Sequence, residues 1–110
     1  MNPYALLAAA IASELFATTS LKLSAGFSKP LPSVGVVVGY GAAFYLLAAV
    51  LEELPVGLVY ATWAALGIVG IAAVGVVAFD ETVDLAGLAG IACILAGVVL
   101  LNVVSGMSAH

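Results

Sequence analysis

Basic residues are almost missing from this chain. Among its 110 residues there are two lysines, Lys22 and Lys29, and no arginine, against six acidic residues and a net charge of -4. Nucleic acid is excluded as a partner, because backbone binding needs several cations set against phosphates. A single cysteine, Cys93, excludes an internal disulfide framework. Its neighbours in "GIACILAGVV" read as those of a small apolar filler and not of a reactive thiol. The one histidine, His110, is the last residue. No nucleophile–base pair, phosphate cradle or metal cluster is therefore expected, nor any enzymatic activity, cofactor or metal. Charge of either sign is scarce at 7% of residues, where soluble domains carry about 25%.

Apolar residues fill the space left. They make up 65% of the chain, and the mean hydropathy is +1.33. A chain this short has no water-facing core large enough to bury so much apolar surface, so lipid must cover most of it. Four hydrophobic runs separate, over about residues 3–23, 34–51, 56–79 and 85–104. Each has the roughly 20 residues needed to cross a bilayer as a helix. The breaks read "AGFSKPLPS", "EELPVG" and "DETVD", and Pro30, Pro32 and Pro55 suit helix boundaries. The expected fold is all-α: one transmembrane domain over residues 1–110, with four helices, short loops and both termini on one side.

The first run is expected to stay in the mature protein. It lacks a basic residue ahead of its apolar part and has a carboxylate in its middle, unlike a signal peptide. Orientation is weakly marked. Lys22 and Lys29 flank or occupy the first loop, and the other loops and the C-terminal tail hold neither Lys nor Arg. With so little bias from the positive-inside rule, the chain can insert in either direction. Glu52, Glu53, Asp80, Glu81 and Asp84 fall in the two remaining loops, where water reaches them. The acidic excess also suits a high-salt habitat, where a negative surface stays hydrated.

Glu14 is different, because it interrupts the apolar stretch "AAAIASELFATTS". A charge at mid-membrane costs from about 2.5 to over 10 kcal/mol, so such a group faces a bundle interior or an aqueous cavity. Two readings stay open: a hydrogen-bonded structural glutamate, or a proton and cation site. No Lys, Arg or His shares its depth. Desolvation without a compensating cation favours a carboxyl's neutral form, which suits a group that takes up and releases protons. Helical spacing sets Leu7, Ala10, Ile11, Ala17, Thr18 and Leu21 on its face. The alanines allow close approach, and Thr18 offers a hydroxyl one turn away.

Aromatic residues cluster in "VYATWAALG", where Tyr60 and Trp63 share a helix face. Tyr60 reads equally as an interfacial anchor, whereas Trp63 lies deeper. Aromatic rings opposed to a carboxylate favour a large organic cation through cation–π attraction. Tyr40 and Phe44 repeat the theme at i and i+4. The fourth run, "GLAGIACILAGVVLLN", carries Gly90 and Gly97 on one stripe, a seam for a second chain rather than a transport path. Asn102 near its end reads as an interfacial polar group.

Together these residues resemble the small multidrug resistance family, four-helix proton-coupled exporters that work as dimers. The resemblance runs through "MNPY", "SELFATTSLKLSAGF", "PSVG", "GY", "GLVYATWAALGIVG" and "AGVVLLN". It implies a multi-pass protein of the cell's inner (plasma) membrane and an antiparallel homodimer in which two Glu14 carboxyls share one site. Substrate and protons would compete for that site. The implied pocket residues are Tyr4, Leu7, Ala10, Ile11, Thr18, Tyr40, Phe44, Tyr60 and Trp63. Two positions depart from the family's habit: Ala25 replaces a common acidic residue, and Ala65 replaces the first glycine of a Gly-x-Gly that ends at Gly67. The family's guanidinium branch tends to place tryptophan near Phe16, serine near Ala42 or Ala43, and lysine near Leu101 or Asn102, and this chain has none of them. The expected substrates are hydrophobic, aromatic or quaternary ammonium cations. Alternatives are export of guanidinium or polyamines by the same fold, or a non-transporting membrane assembly subunit.

Overall fold

The computed structural model describes residues 2–106, so His110 lies outside the described residues. It contains four helices: α1 (Pro3–Leu23), α2 (Pro30–Leu51), α3 (Val56–Ala78) and α4 (Leu85–Val99), the last continued by a π-helical turn over Leu100–Val104. There is no strand among the described residues. All four helices are long and apolar enough to cross a membrane, counting α4 with its π-helical turn. The chain divides into two compact units, Met1–Glu53 and Leu54–His110.

In the first unit, Pro3 begins α1 and the Asn2 side chain caps it, accepting the Tyr4 N–H at 2.8 Å. Helix α2 begins at Pro30, four residues ahead of the apolar run at Val34. The first-turn N–H groups have no intrahelical partner, so Pro30 and Pro32 fit there without losing a hydrogen bond. The two helices then pack tightly. A Cβ built on Gly39 would lie 2.7 Å from Ala17 Cβ, and one on Gly35 would lie 2.8 Å from Ser20 Oγ. Only glycine allows such approach, and Gly35 and Gly39 are spaced as in the small-xxx-small stripe of membrane helix pairs.

The α1–α2 turn is built on buried Ser24. Its hydroxyl donates to the Leu21 carbonyl at 2.7 Å and accepts the Phe27 N–H at 3.1 Å. Ala25, Gly26 and Phe27 all take positive φ there, at 49°, 73° and 66°. Non-glycine residues adopt that geometry only where their surroundings hold them in it.

In the second unit, α3 runs without interruption through Ala65 and Gly67. It ends where Phe79 and Glu81 both donate N–H groups to the Gly75 carbonyl, with the Glu81 side chain folded against Gly75. Asp84 caps α4 by accepting the Gly87 N–H at 2.8 Å. One of the acidic loop residues therefore has a defined structural task. Helix α4 has no buried residue, and Cys93 on it is exposed, so the thiol fills no core within the chain.

Candidate functional site

Glu14 lies midway along α1, half-buried, in the first unit. One helical turn on, Thr18 Oγ1 donates to Glu14 Oε1 at 2.8 Å. The same Thr18 oxygen lies 2.7 Å from the Tyr40 hydroxyl of α2. The first contact follows from i,i+4 spacing; the second needs α2 at its present height and rotation. Tyr40 in turn stacks on Phe44, with ring centroids 6.0 Å apart and planes inclined by 22°. Carboxyl, two hydroxyls and two rings thus form one continuous row within a single hairpin.

The row has a chemical direction. An ionised carboxylate only accepts hydrogen bonds, so Thr18 donates to it and Tyr40 donates to Thr18. A proton on Glu14 permits the reverse order, with Glu14 donating to Thr18 and Thr18 to Tyr40. Both charge states are satisfied by the same heavy-atom positions. A hydroxyl partner also leaves the carboxylate's net charge available, which a lysine or arginine partner would cancel.

Other expected site residues occupy varied surroundings. Leu7, Ala10 and Ile11 are buried along the Glu14 side of α1, whereas Tyr4 near its start is half exposed. Phe44 is 60% exposed, so Tyr40 covers one face of its ring and leaves the remainder open. In the second unit, Tyr60 is 76% exposed and Trp63 is half-buried on α3. Gly90 and Gly97 are exposed, and a Cβ on either would meet nothing within 4 Å. Two shallow apolar grooves on the first unit are both lined by Phe16 and Val38 and do not include Glu14.

Two features were not anticipated from the residues alone. The close α1–α2 seam at Gly39 holds the helix that carries Tyr40 against the helix that carries Thr18; its signal was the Gly-x-x-x-Gly at 35–39. Asn102, read as an interfacial polar group, instead donates to Thr62 Oγ1 on α3 at 3.1 Å. No local pattern marks that pairing.

A family model for the Small Multidrug Resistance protein matches residues 2–94. The chain belongs to the small multidrug resistance family. A multidrug transporter of Pseudomonas aeruginosa is 50% identical over 110 residues, 100% of both chains. The quaternary ammonium compound-resistance protein QacE of Escherichia coli is 44% identical, also over 100% of both chains. The multidrug transporter EmrE of Escherichia coli is 41% identical over the same full length. As a member of this transporter family with four membrane-length helices, the protein is a multi-pass inner-membrane protein.

Proposed function

We propose that this small multidrug resistance protein is a proton-coupled antiporter that exports hydrophobic, aromatic or quaternary ammonium cations. Protons and substrate compete for Glu14, and the working unit is an antiparallel homodimer with one Glu14 from each chain. Within each chain the two helical hairpins act as one four-helix domain over residues 1–110. The observation that carries the reading is a carboxyl midway along a membrane-length helix whose hydrogen-bond partner is the Thr18 hydroxyl. Such a group is costly in hydrocarbon and by default marks a functional site. Relatives named for multidrug transport and quaternary ammonium resistance support the substrate class.

The mechanism follows from competition for charge. With both carboxyls ionised, a lipophilic cation is held electrostatically in low dielectric, and Tyr4, Tyr40, Phe44, Tyr60 and Trp63 supply ring faces to it. Leu7, Ala10 and Ile11 provide apolar wall, and Thr18 orients the carboxyl. Protonation removes the charge and releases the cation. Proton entry from outside thus expels substrate, and substrate entry from inside expels protons. One site shared in this way couples the two flows without a separate relay. A dimer seam on α4 at Gly90 and Gly97 accounts for a helix that is apolar yet has no fully buried residue within its own chain.

Reconstitution into vesicles with an imposed proton gradient tests the proposal. Wild type should accumulate tetraphenylphosphonium against its gradient, and Glu14→Gln should assemble normally yet move none. Binding should weaken as pH falls, because protonated Glu14 no longer attracts the cation. Uphill transport by Glu14→Gln would overturn the shared-carboxyl mechanism.

A further inference from the structure

Helix α3 has no polar stripe, so hydropathy alone does not fix its rotation about its axis. Thr62 is its polar mark, 8% exposed, and Asn102 of the π-helical turn meets it. The Asn102 side-chain amide has two hydrogens. Its nitrogen donates to the Val98 carbonyl at 2.9 Å and to Thr62 Oγ1 at 3.1 Å. The first bond fixes the Asn102 side chain on its own helix, and the second ties that helix to α3. The π-helical turn around it is wider than an α-turn, as the Ser105 N–H reaching back to Leu100 O at 2.8 Å demonstrates.

The tie bears on the aromatic residues. At about 100° per residue, Trp63 lies about 100° around the helix from Thr62, and Tyr60 about 160°. Holding Thr62 toward α4 therefore sets Trp63 to the side of α4 and turns Tyr60 away from it. Their exposure agrees: Thr62 is buried, Trp63 half-buried and Tyr60 open. A one-residue rotation of α3 would carry Trp63 to the Thr62 position, facing α4.

We propose that Asn102 and Thr62 form a polar clasp that sets the rotation of α3 and so positions Tyr60 and Trp63. They are positioning residues and touch no substrate. The inference rests on the reading that these rings receive the cation, but the orientation of α3 can be measured separately. Trp63 is the chain's sole tryptophan, so its emission reports directly on the clasp.

The test uses full-length protein in vesicles carrying Thr62→Val, Asn102→Leu, both changes, or Thr62→Ser. Thr62→Val keeps the shape and removes the acceptor, whereas Thr62→Ser keeps the acceptor. Each of the first two should weaken tetraphenylphosphonium binding by about 3- to 15-fold, the scale of one interhelical hydrogen bond in a membrane. The double variant should lose no more than either single one, and Thr62→Ser should bind like wild type. Tetramethylammonium, which has no ring to stack, should lose less. Both single variants should shift Trp63 emission in the same direction. Additive losses, or emission unchanged in Thr62→Val, would overturn the clasp. Should wild type bind neither cation, the transport reading fails, and Trp63 emission still decides the clasp: a shared shift supports it and no shift refutes it.

Discussion

Substituting Gly39 by alanine is expected to break the hydroxyl row without touching any member of it. The new Cβ would lie 2.7 Å from Ala17 Cβ and 3.0 Å from Ala17 Cα. Carbon atoms settle about 3.5–4.0 Å apart, and neither Ala17 atom can rotate away. The helices must therefore separate locally by about 0.8 Å or more. Tyr40 adjoins Gly39, so its hydroxyl moves with the displaced segment. Its 2.7 Å contact with Thr18 would open toward about 3.5 Å, beyond useful hydrogen-bond length. Overpacking of this kind costs about 1–3 kcal/mol, against a helix-propensity gain of up to about 1 kcal/mol for replacing glycine by alanine. With the full propensity gain the net loss should be about 0–2 kcal/mol. Gly41→Ala is the control, because a Cβ there meets nothing within 4 Å. Thermal unfolding in detergent should therefore rank Gly41→Ala at or above wild type and Gly39→Ala below it. Cation binding should fall only in Gly39→Ala, and adding Ala17→Gly, which removes the 2.7 Å contact but leaves the 3.0 Å approach to the Cα, should restore both properties in part. A Gly39→Ala protein as stable and as tightly binding as Gly41→Ala would refute the reasoning.

Trp63→Ala should weaken aromatic cations by about 1–2 kcal/mol, the scale of a desolvated cation–π contact, and small aliphatic ammonium ions by less; equal losses in a binding titration would assign Trp63 to packing. Leucine at Gly90 or Gly97 should separate the α4 seam, reduce dimer in crosslinking and abolish transport, with Glu14 intact; a fully dimeric variant would move the seam elsewhere. Two or three lysines added to the C-terminal tail should hold that tail inside, giving a chain inactive alone and active when mixed with one pinned oppositely. Full activity from a uniformly oriented population, verified by one-sided labelling of a terminal cysteine, would exclude the antiparallel arrangement.

The sequence by itself determined that the chain crosses a membrane, that it does so four times, and that Glu14 is the anomalous group. Each conclusion depends on a sum over consecutive residues: apolar run length, loop chemistry, and the cost of one carboxyl in hydrocarbon. The Glu14–Thr18 contact was also legible, because i,i+4 neighbours meet on any helix. Contacts between helices were not. Helices α2, α3 and α4 have no polar stripe, so hydropathy does not indicate which way each one turns. Rotation and height were decided by local fit: Gly39 against Ala17, and the Asn102 amide against Thr62. Even the start of α2 followed from orphan N–H groups that tolerate Pro30 and Pro32, and not from hydropathy. Tertiary structure alone brought Tyr40 to Thr18. A hydrogen bond reaches about 3 Å, and hydropathy does not specify the placement of one apolar helix against another to that tolerance.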